Sequence, residues 1–225
     1  EKNIPVLGVE PSENVAKAAI EKGIPTEQVF FGEKSAGKLR EEYESADLIL
    51  GNNVLAHVPQ IGDFIKGLKK MLAQNGLMTF EFPHLMQLVE NNQFDTIYHE
   101  HFFYYSFLAV KSIFEKYDMK IFDVQELSTH GGSIRIFVTH EHNEMYSERD
   151  AVKELLEVEK QKGYENIELY TAFDKNVRET KRQILELLID LKNNGKTIAG
   201  YGAPGKGNTL LNYCGIRQDF IDYTV

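Results

Sequence analysis

Ala46-Asp47-Leu48-Ile49-Leu50-Gly51 runs directly into Asn52-Asn53-Val54-Leu55-Ala56-His57-Val58-Pro59, and this junction decides the fold. Leu48-Ile49-Leu50 shows no polar alternation, so the segment reads as a strand buried on both faces, the kind found in helix-covered parallel sheets. The flanking sequence supplies the helices. Downstream, residues 61–73 place Phe64, Ile65, Leu68, Met71 and Leu72 on one side of a helix that Asn75-Gly76 stops, and 77–82 is the next strand. Upstream, 35–43 is a polar helix and Val29-Phe30-Phe31 a short strand. Ser12 caps a helix to about Lys22 with Val15, Ala18, Ala19 and Ile20 inward, and 6–10 is an apolar strand ending in an acid.

Beyond this alternation the pattern changes. Residues 107–117 read as a helix. Segments 120–127 and 133–140 read as strands joined by Ser128-Thr129-His130-Gly131-Gly132, a connection short enough to require antiparallel pairing at the sheet edge. The stretch 148–193 is charged and helical, broken near Gly163, with Val177, Ile184, Leu185, Leu188 and Leu191 forming a stripe; it reads as one or two long helices bridging to a second domain. A strand at 196–201, a helix opening at 208–213 and a strand at 220–225 follow. The expected organisation is a first α/β domain over 1–145, a helical linker over 146–193 and the start of a second α/β domain over 194–225. A strand in use at each end leads us to expect a fragment.

Composition narrows the function. The 225 residues are 42% hydrophobic and 11% aromatic, with net charge −9, and no Lys/Arg block alternates with aromatics. Neither a nucleic-acid surface nor an anionic-membrane surface has its electrostatic footprint here. No apolar run approaches the ~20 residues of a membrane helix, and Glu1-Lys2-Asn3 does not begin a signal peptide. The lone Cys214 forms no internal disulfide and holds no zinc by itself, so a reducing, cytoplasmic setting is expected and no metal site.

In parallel sheets, ligands bind beyond the carboxyl ends of the strands. Glu10, Asn52, Asn53, Glu81 and Pro83 fall at such ends. Glu10, followed by Pro11, has the place of an acid that takes ribose hydroxyls, and equally that of a helix-start carboxylate. Asn53 and His57 fit ligand contact, and also turn chemistry beside a surface histidine. The richest stretch is Tyr98-His99-Glu100-His101-Phe102-Phe103-Tyr104-Tyr105-Ser106. Imidazole and carboxylate exchange protons near neutral pH, and phenol donates to a developing oxyanion. Gly200-Tyr201-Gly202-Ala203-Pro204-Gly205-Lys206-Gly207 fits G-x-G-x-x-G between a strand and a helix, where backbone amides cradle a diphosphate and Lys206 adds charge; a packing turn is the plain alternative. Arg135 alternates with Ile134 and Ile136 and faces either a pocket or solvent.

Taken in order, several motifs resemble those of one family: Gly8-Val9-Glu10-Pro11-Ser12, Asn53-Val54-Leu55-Ala56-His57-Val58, Phe94-Asp95 with Ile97-Tyr98-His99-Glu100-His101-Phe102-Phe103, His130-Gly131-Gly132-Ser133 with Arg135, and Tyr201-Gly202-Ala203 through Lys206 to Cys214-Gly215. The chain resembles the S-adenosylmethionine-dependent C-methyltransferases of nucleotide-diphosphate keto-deoxysugars, typified by the TDP-sugar 3-C-methyltransferases. The resemblance implies an α/β, Rossmann-like methyltransferase sheet over 1–145, incomplete at its N-terminus because the first strand and its glycine-rich cofactor loop would precede Glu1. After the linker it implies the start of a nucleotide-sugar-binding α/β domain. Zinc is expected only in an N-terminal domain absent from this sequence. S-adenosylmethionine would meet Glu10, Pro11 and Asn53. His101 would be the base beside the ketone and Glu100 its partner, while Tyr98 and His57 donate to the enolate oxygen or position the sugar. His130, Arg135, Tyr201, Gly202, Lys206 and Asn208 would hold the nucleotide sugar, the loop at 202–207 taking the diphosphate. Two rivals remain at this stage: a nicotinamide-dependent sugar dehydrogenase or epimerase, drawn from the glycine fingerprint, and a catalytically silent binding module. The oligomeric state is not legible.

Overall fold

The computed structural model describes residues 4–225. The reading that no signal peptide begins the chain rests on Glu1, Lys2 and Asn3, which lie outside the described residues. The described fold is α/β. Strand β1 (Gly8–Val9) and helix α1 (Glu13–Glu21) lead to β2 (Thr26–Glu27), which pairs parallel with β1. The strand expected at 29–31 is corrected to Thr26–Glu27. Phe31 instead turns edge-on to Phe64, with ring centroids 5.4 Å apart, and Phe30 is exposed. Those apolar residues plug a core and break an exposed surface; they do not build a ladder.

Helix α2 (Glu33–Tyr43) starts two residues earlier than expected. Ser35 is the third helical residue, and its hydroxyl accepts the Gly32 amide at 2.9 Å, reaching back to hold the entry turn. Strand β3 (Ala46–Asn52), helix α3 (Ile61–Met71) and strand β4 (Leu72–Pro83) follow, with β3 and β4 parallel from Leu48 opposite Leu77 to Asn52 opposite Glu81. Two expectations fail here. Asn75-Gly76 does not stop α3 but lies inside β4, where a Cβ on Gly76 would meet the carbonyl oxygens of Ala46 and Asp47 at 3.0 Å, so glycine serves a close approach of strands. The other concerns β3, which is not buried on both faces: Leu48 and Leu50 are 54% and 68% exposed, because among the described residues β4 is its sole strand partner.

Helix α4 (Leu85–Glu90) was not expected; helix α5 (Phe107–Glu115), β5 (Met119–Leu127) and β6 (Ser133–His140) were. The order across the sheet is β3-β4-β6-β5, with β6 antiparallel to both neighbours, as the short connection required. Phe80, Phe82, Ile134, Ile136, Phe107 and Phe114 are fully buried between this sheet and its helices. Helix α6 (Asp150–Gln161) and helix α7 (Ile167–Asn193) bend at Gly163, whose φ of 83° suits glycine. Strand β7 (Ala199–Gly200), helix α8 (Gly205–Cys214) and β8 (Tyr223–Thr224) form a small parallel unit; α8 begins at Gly205, earlier than the expected Asn208, and both strands are shorter than read. No helix among the described residues is long and apolar enough to cross a membrane.

One buried carboxylate joins these parts. Glu159 of α6, fully buried, accepts the amides of Phe107 and Leu108 at 2.7 Å each and His84 Nε2 at 2.6 Å. The two amides are unpaired donors of the first turn of α5, whose N-cap Ser106 accepts Ala109 N at 3.1 Å. Removing one partner of a buried pair typically costs about 3–5 kcal/mol. Glu159→Ala should therefore lower the urea midpoint by a comparable stability loss, whereas exposed Glu157→Ala should change it little.

Candidate active site

The carboxyl ends of β3 and β4 open into a cavity of about 260 Å³. Asn53, directly after β3, takes a left-handed conformation (φ 55°), and its amide nitrogen donates to Glu81 O at 2.7 Å. The 3-10 turn Leu55–His57 buries Leu55 and Ala56 and sends His57 to the cavity wall. Its Nδ1 lies 2.9 Å from Glu100 O; a carbonyl only accepts, so Nδ1 donates, and in the uncharged ring the lone pair sits on Nε2.

The loop from Tyr98 to Ser106 supplies the facing wall. His101 Nδ1 bonds Thr96 O at 3.1 Å, which likewise makes its Nε2 the basic nitrogen. The His57 and His101 ring centroids are 4.8 Å apart, and the Tyr98 ring lies tilted against His101 with centroids 4.5 Å apart. Burial pushes the His101 pKa below the ordinary imidazole value of 6.5; the Thr96 hydrogen bond and Glu100 oppose this, and His57 and Lys206 add to it. His101 is thus a neutral base at neutral pH. Tyr104, whose hydroxyl donates toward Thr96 O at 3.3 Å, has its pKa raised mainly by burial and stays a phenol. Phe82, Pro83, Leu85, Leu88 and Phe103 form the apolar side.

The third wall comes from the turn before β6. Glu81 and Arg135 are cross-strand partners in the β4–β6 register, and Arg135 donates to Glu81 at 2.7 Å. Thr129 donates to the other carboxylate oxygen at 2.9 Å, fixing the turn that carries His130 (φ 53°) to the cavity, where Asn53 Nδ2 stands 3.4 Å from His130 Nε2. Arg135, then Thr129, hold the Glu81 carboxyl below its usual range against the opposing effect of burial. A depressed carboxyl pKa stabilises the folded turn at neutral pH, and that contribution is lost as the pH falls through the folded pKa.

Of the residues expected at a site, the cavity gathers Asn53, His57, Tyr98, Glu100, His101, His130 and Lys206. Glu10 and Pro11 lie apart, at the end of β1, where Glu10 accepts the Ser12 amide at 2.8 Å. Arg135 serves Glu81. Tyr201, Gly202 and Asn208 do not line the cavity; Tyr201 is 93% exposed. Lys206 reaches it because α8 docks through Tyr213, whose ring meets Phe94 at 5.3 Å and whose carbonyl accepts Lys181 Nζ at 2.8 Å. Sequence reasoning missed Thr96, which acts through its backbone carbonyl, named Tyr104 only as one phenol of the loop, and did not find Glu81 as the anchor of the turn. Among the described residues no three His, Cys, Asp or Glu side chains gather as metal ligands.

Comparison with known proteins gives a consistent picture. A family model described as a methyltransferase domain matches residues 1–124, and one described as a C-methyltransferase C-terminal domain matches 128–225. The chain is 36% identical over 218 residues to the C-methyltransferase NovU of Streptomyces niveus, covering 97% of this chain and 52% of that protein. It thus spans about half the length of the curated relative it matches. Similar solved structures include a SAM-dependent methyltransferase from Anabaena variabilis (13% identity, 62% of this chain and 70% of that one, TM-score 0.49) and a possible histamine N-methyltransferase from Thermotoga maritima (18%, 60% and 72%, TM-score 0.46).

The geometry makes a measurable claim about His101. Imidazole proton NMR across pH should place its midpoint below 6.5, in a resonance that His101→Gln removes; a midpoint at or above that value would contradict the buried, neutral base.

Proposed function

The chain belongs to the methyltransferase family, and from that premise we propose that the intact protein is an S-adenosylmethionine-dependent C-methyltransferase acting on a nucleotide-diphosphate keto-deoxysugar. The observation that carries this reading is the pair of imidazoles held through Nδ1 to backbone carbonyls, which leaves two Nε2 lone pairs at one cavity. Carbon beside a ketone becomes nucleophilic only after losing a proton, and a neutral, partly desolvated imidazole is suited to take it. His101 Nε2 receives that proton. Tyr98, packed against the His101 ring, donates to the oxygen that gains charge, and His57, on the cavity wall, positions a sugar hydroxyl. Glu100 carries the carbonyl that orients His57 and a carboxylate whose charge favours the imidazolium of His101.

S-adenosylmethionine supplies a methyl group on a sulfonium, the electrophile such a carbon needs. The residues present fit it: one Glu10 oxygen is engaged by Ser12 N and the other, among the described residues, has no hydrogen-bond partner, leaving a carboxylate for ribose hydroxyls, with Asn53 at the end of β3 for the amino-acid part. Pro11 stands in the bend between β1 and α1, its ring fixing φ there. The glycine loop suits a diphosphate, since a Cβ on Gly205 would meet nothing within 4 Å and one on Gly207 only Pro204, so neither glycine is required by packing. His130 faces the sugar, steadied by the Arg135–Glu81 pair, while Tyr201, Gly202 and Asn208 frame the nucleotide side. The methyltransferase family models favour S-adenosylmethionine over a nicotinamide cofactor.

Incubating the intact protein with S-adenosylmethionine and a thymidine-diphosphate keto-deoxysugar should yield a sugar heavier by one methyl group, bonded to carbon. His101→Gln should lower kcat by roughly 10²–10⁴-fold with little change in cofactor affinity. An undiminished rate in that variant moves the base elsewhere, and transfer to oxygen or nitrogen rejects the reaction class.

A further inference from the structure

Proton removal beside a ketone places negative charge on the carbonyl oxygen, and the groups facing the cavity divide unevenly between base and acid. His57 and His101 both present lone pairs. Tyr98, Tyr104 and Tyr105 offer phenols, with Tyr104 already engaged to Thr96 O. His130 comes from the turn before β6, and the charged side chains on the wall are Glu100 and Lys206. Among the described residues, Lys206 is therefore the one lysine or arginine on the cavity wall. It is half-buried and, among the described residues, makes no hydrogen bond or ion pair. It stands in the first turn of α8, yet the neighbouring Tyr201, Gly202 and Asn208 stay away from the cavity, so the lysine alone crosses from the glycine loop to the histidines.

We propose that Lys206 is a catalytic residue at the reacting end: its ammonium donates to the ketone oxygen as the enolate forms, and the diphosphate is left to the loop amides. This rests on the proposed function and assigns Lys206 a different role within it. In the step, the carbon–hydrogen pair becomes the new carbon–carbon π bond, the carbonyl π pair moves onto oxygen, and the proton passes to His101 Nε2. Lys206 keeps its own proton and stabilises the oxyanion by charge and hydrogen bond. As the carbon takes the methyl group, the carbonyl re-forms, the sulfur keeps the pair of the broken carbon–sulfur bond, and His101 releases its proton to solvent. A cation in a water-poor site acts where charge develops. The same cation lowers the His101 pKa as the last of its causes, after burial, the Thr96 bond, His57 and Glu100, and both side chains line the one cavity.

The test uses the intact protein as Lys206→Gln and Lys206→Arg. With a thymidine-diphosphate keto-deoxysugar and S-adenosylhomocysteine in deuterium oxide, exchange of the proton beside the ketone should fall by about 10²–10³-fold in Lys206→Gln, and Lys206→Arg should recover much of it. Calorimetric affinity for thymidine diphosphate alone should change by no more than about threefold. The His101 NMR midpoint should rise in Lys206→Gln, since a nearby cation is gone. A tenfold or greater loss of thymidine diphosphate affinity with exchange intact would return Lys206 to the diphosphate and overturn the proposal. So would an unmoved His101 midpoint. If wild type neither exchanges nor methylates the sugar, the substrate reading itself fails and the role of Lys206 falls with it; a wild type that exchanges beside a Lys206→Gln that exchanges equally fast overturns the Lys206 proposal alone.

Discussion

The buried carboxylate of Glu159 is the contact on which the site depends. It comes from α6, yet it satisfies the first turn of α5 and the ring of His84. Those two points frame the loop that lines the cavity: α5 begins where the Tyr98–Ser106 segment ends, and His84 is the N-cap of α4 just after β4. A helix start buried away from water has unpaired amides and a positive dipole end, and both favour an anion there. An apolar side chain in place of Glu159 would leave three donors without partners. The segment 148–193 therefore reaches beyond the linker role its charge pattern suggested, because its first helix pins the loop that carries His101.

A second constraint shapes the opposite wall. β6 enters antiparallel beside β4, and this register sets Arg135 across from Glu81. The carboxylate then has a second oxygen free for Thr129, and the turn bearing His130 is drawn over the carboxyl end of the sheet. Gly132 makes that turn possible: its φ is 120°, and a Cβ there would meet the Gln87 side chain at 2.5 Å. Arg135 acts by holding Glu81, so its place in the cavity's chemistry is indirect.

Much of this was legible in the sequence because it depends on local pattern. The alternation of strands and helices, the antiparallel pair and the break at Gly163 all follow from periodicity and glycine. The failures share a cause, which is that tertiary partners outweighed local signals. Val29-Phe30-Phe31 looks like a strand, but β1 hydrogen-bonds to Thr26–Glu27, and Phe31 is taken by Phe64. Asn75-Gly76 looks like a helix stop, but the glycine is needed for the approach to Ala46. In the site, the histidines and Lys206 announced themselves as residue types. Thr96 contributes a carbonyl, and no sequence pattern marks a carbonyl; Glu81 and Glu159 looked like ordinary acids until distant donors gave them roles.

The cavity divides its chemistry by face. Phe82, Pro83, Leu85, Leu88 and Phe103 exclude water from one side, and the imidazoles, phenols and Lys206 occupy the other. Excluding water strengthens each remaining electrostatic interaction and keeps a carbanion-like carbon from regaining a proton from solvent. It also disfavours charge on His101, an effect that His57 beside it and Lys206 reinforce. The site thereby holds its base neutral until substrate arrives. In the proposed step, the imidazolium, the enolate and the ammonium would form an alternating set in which each charge stabilises the next, which favours the state after proton transfer over the one before it.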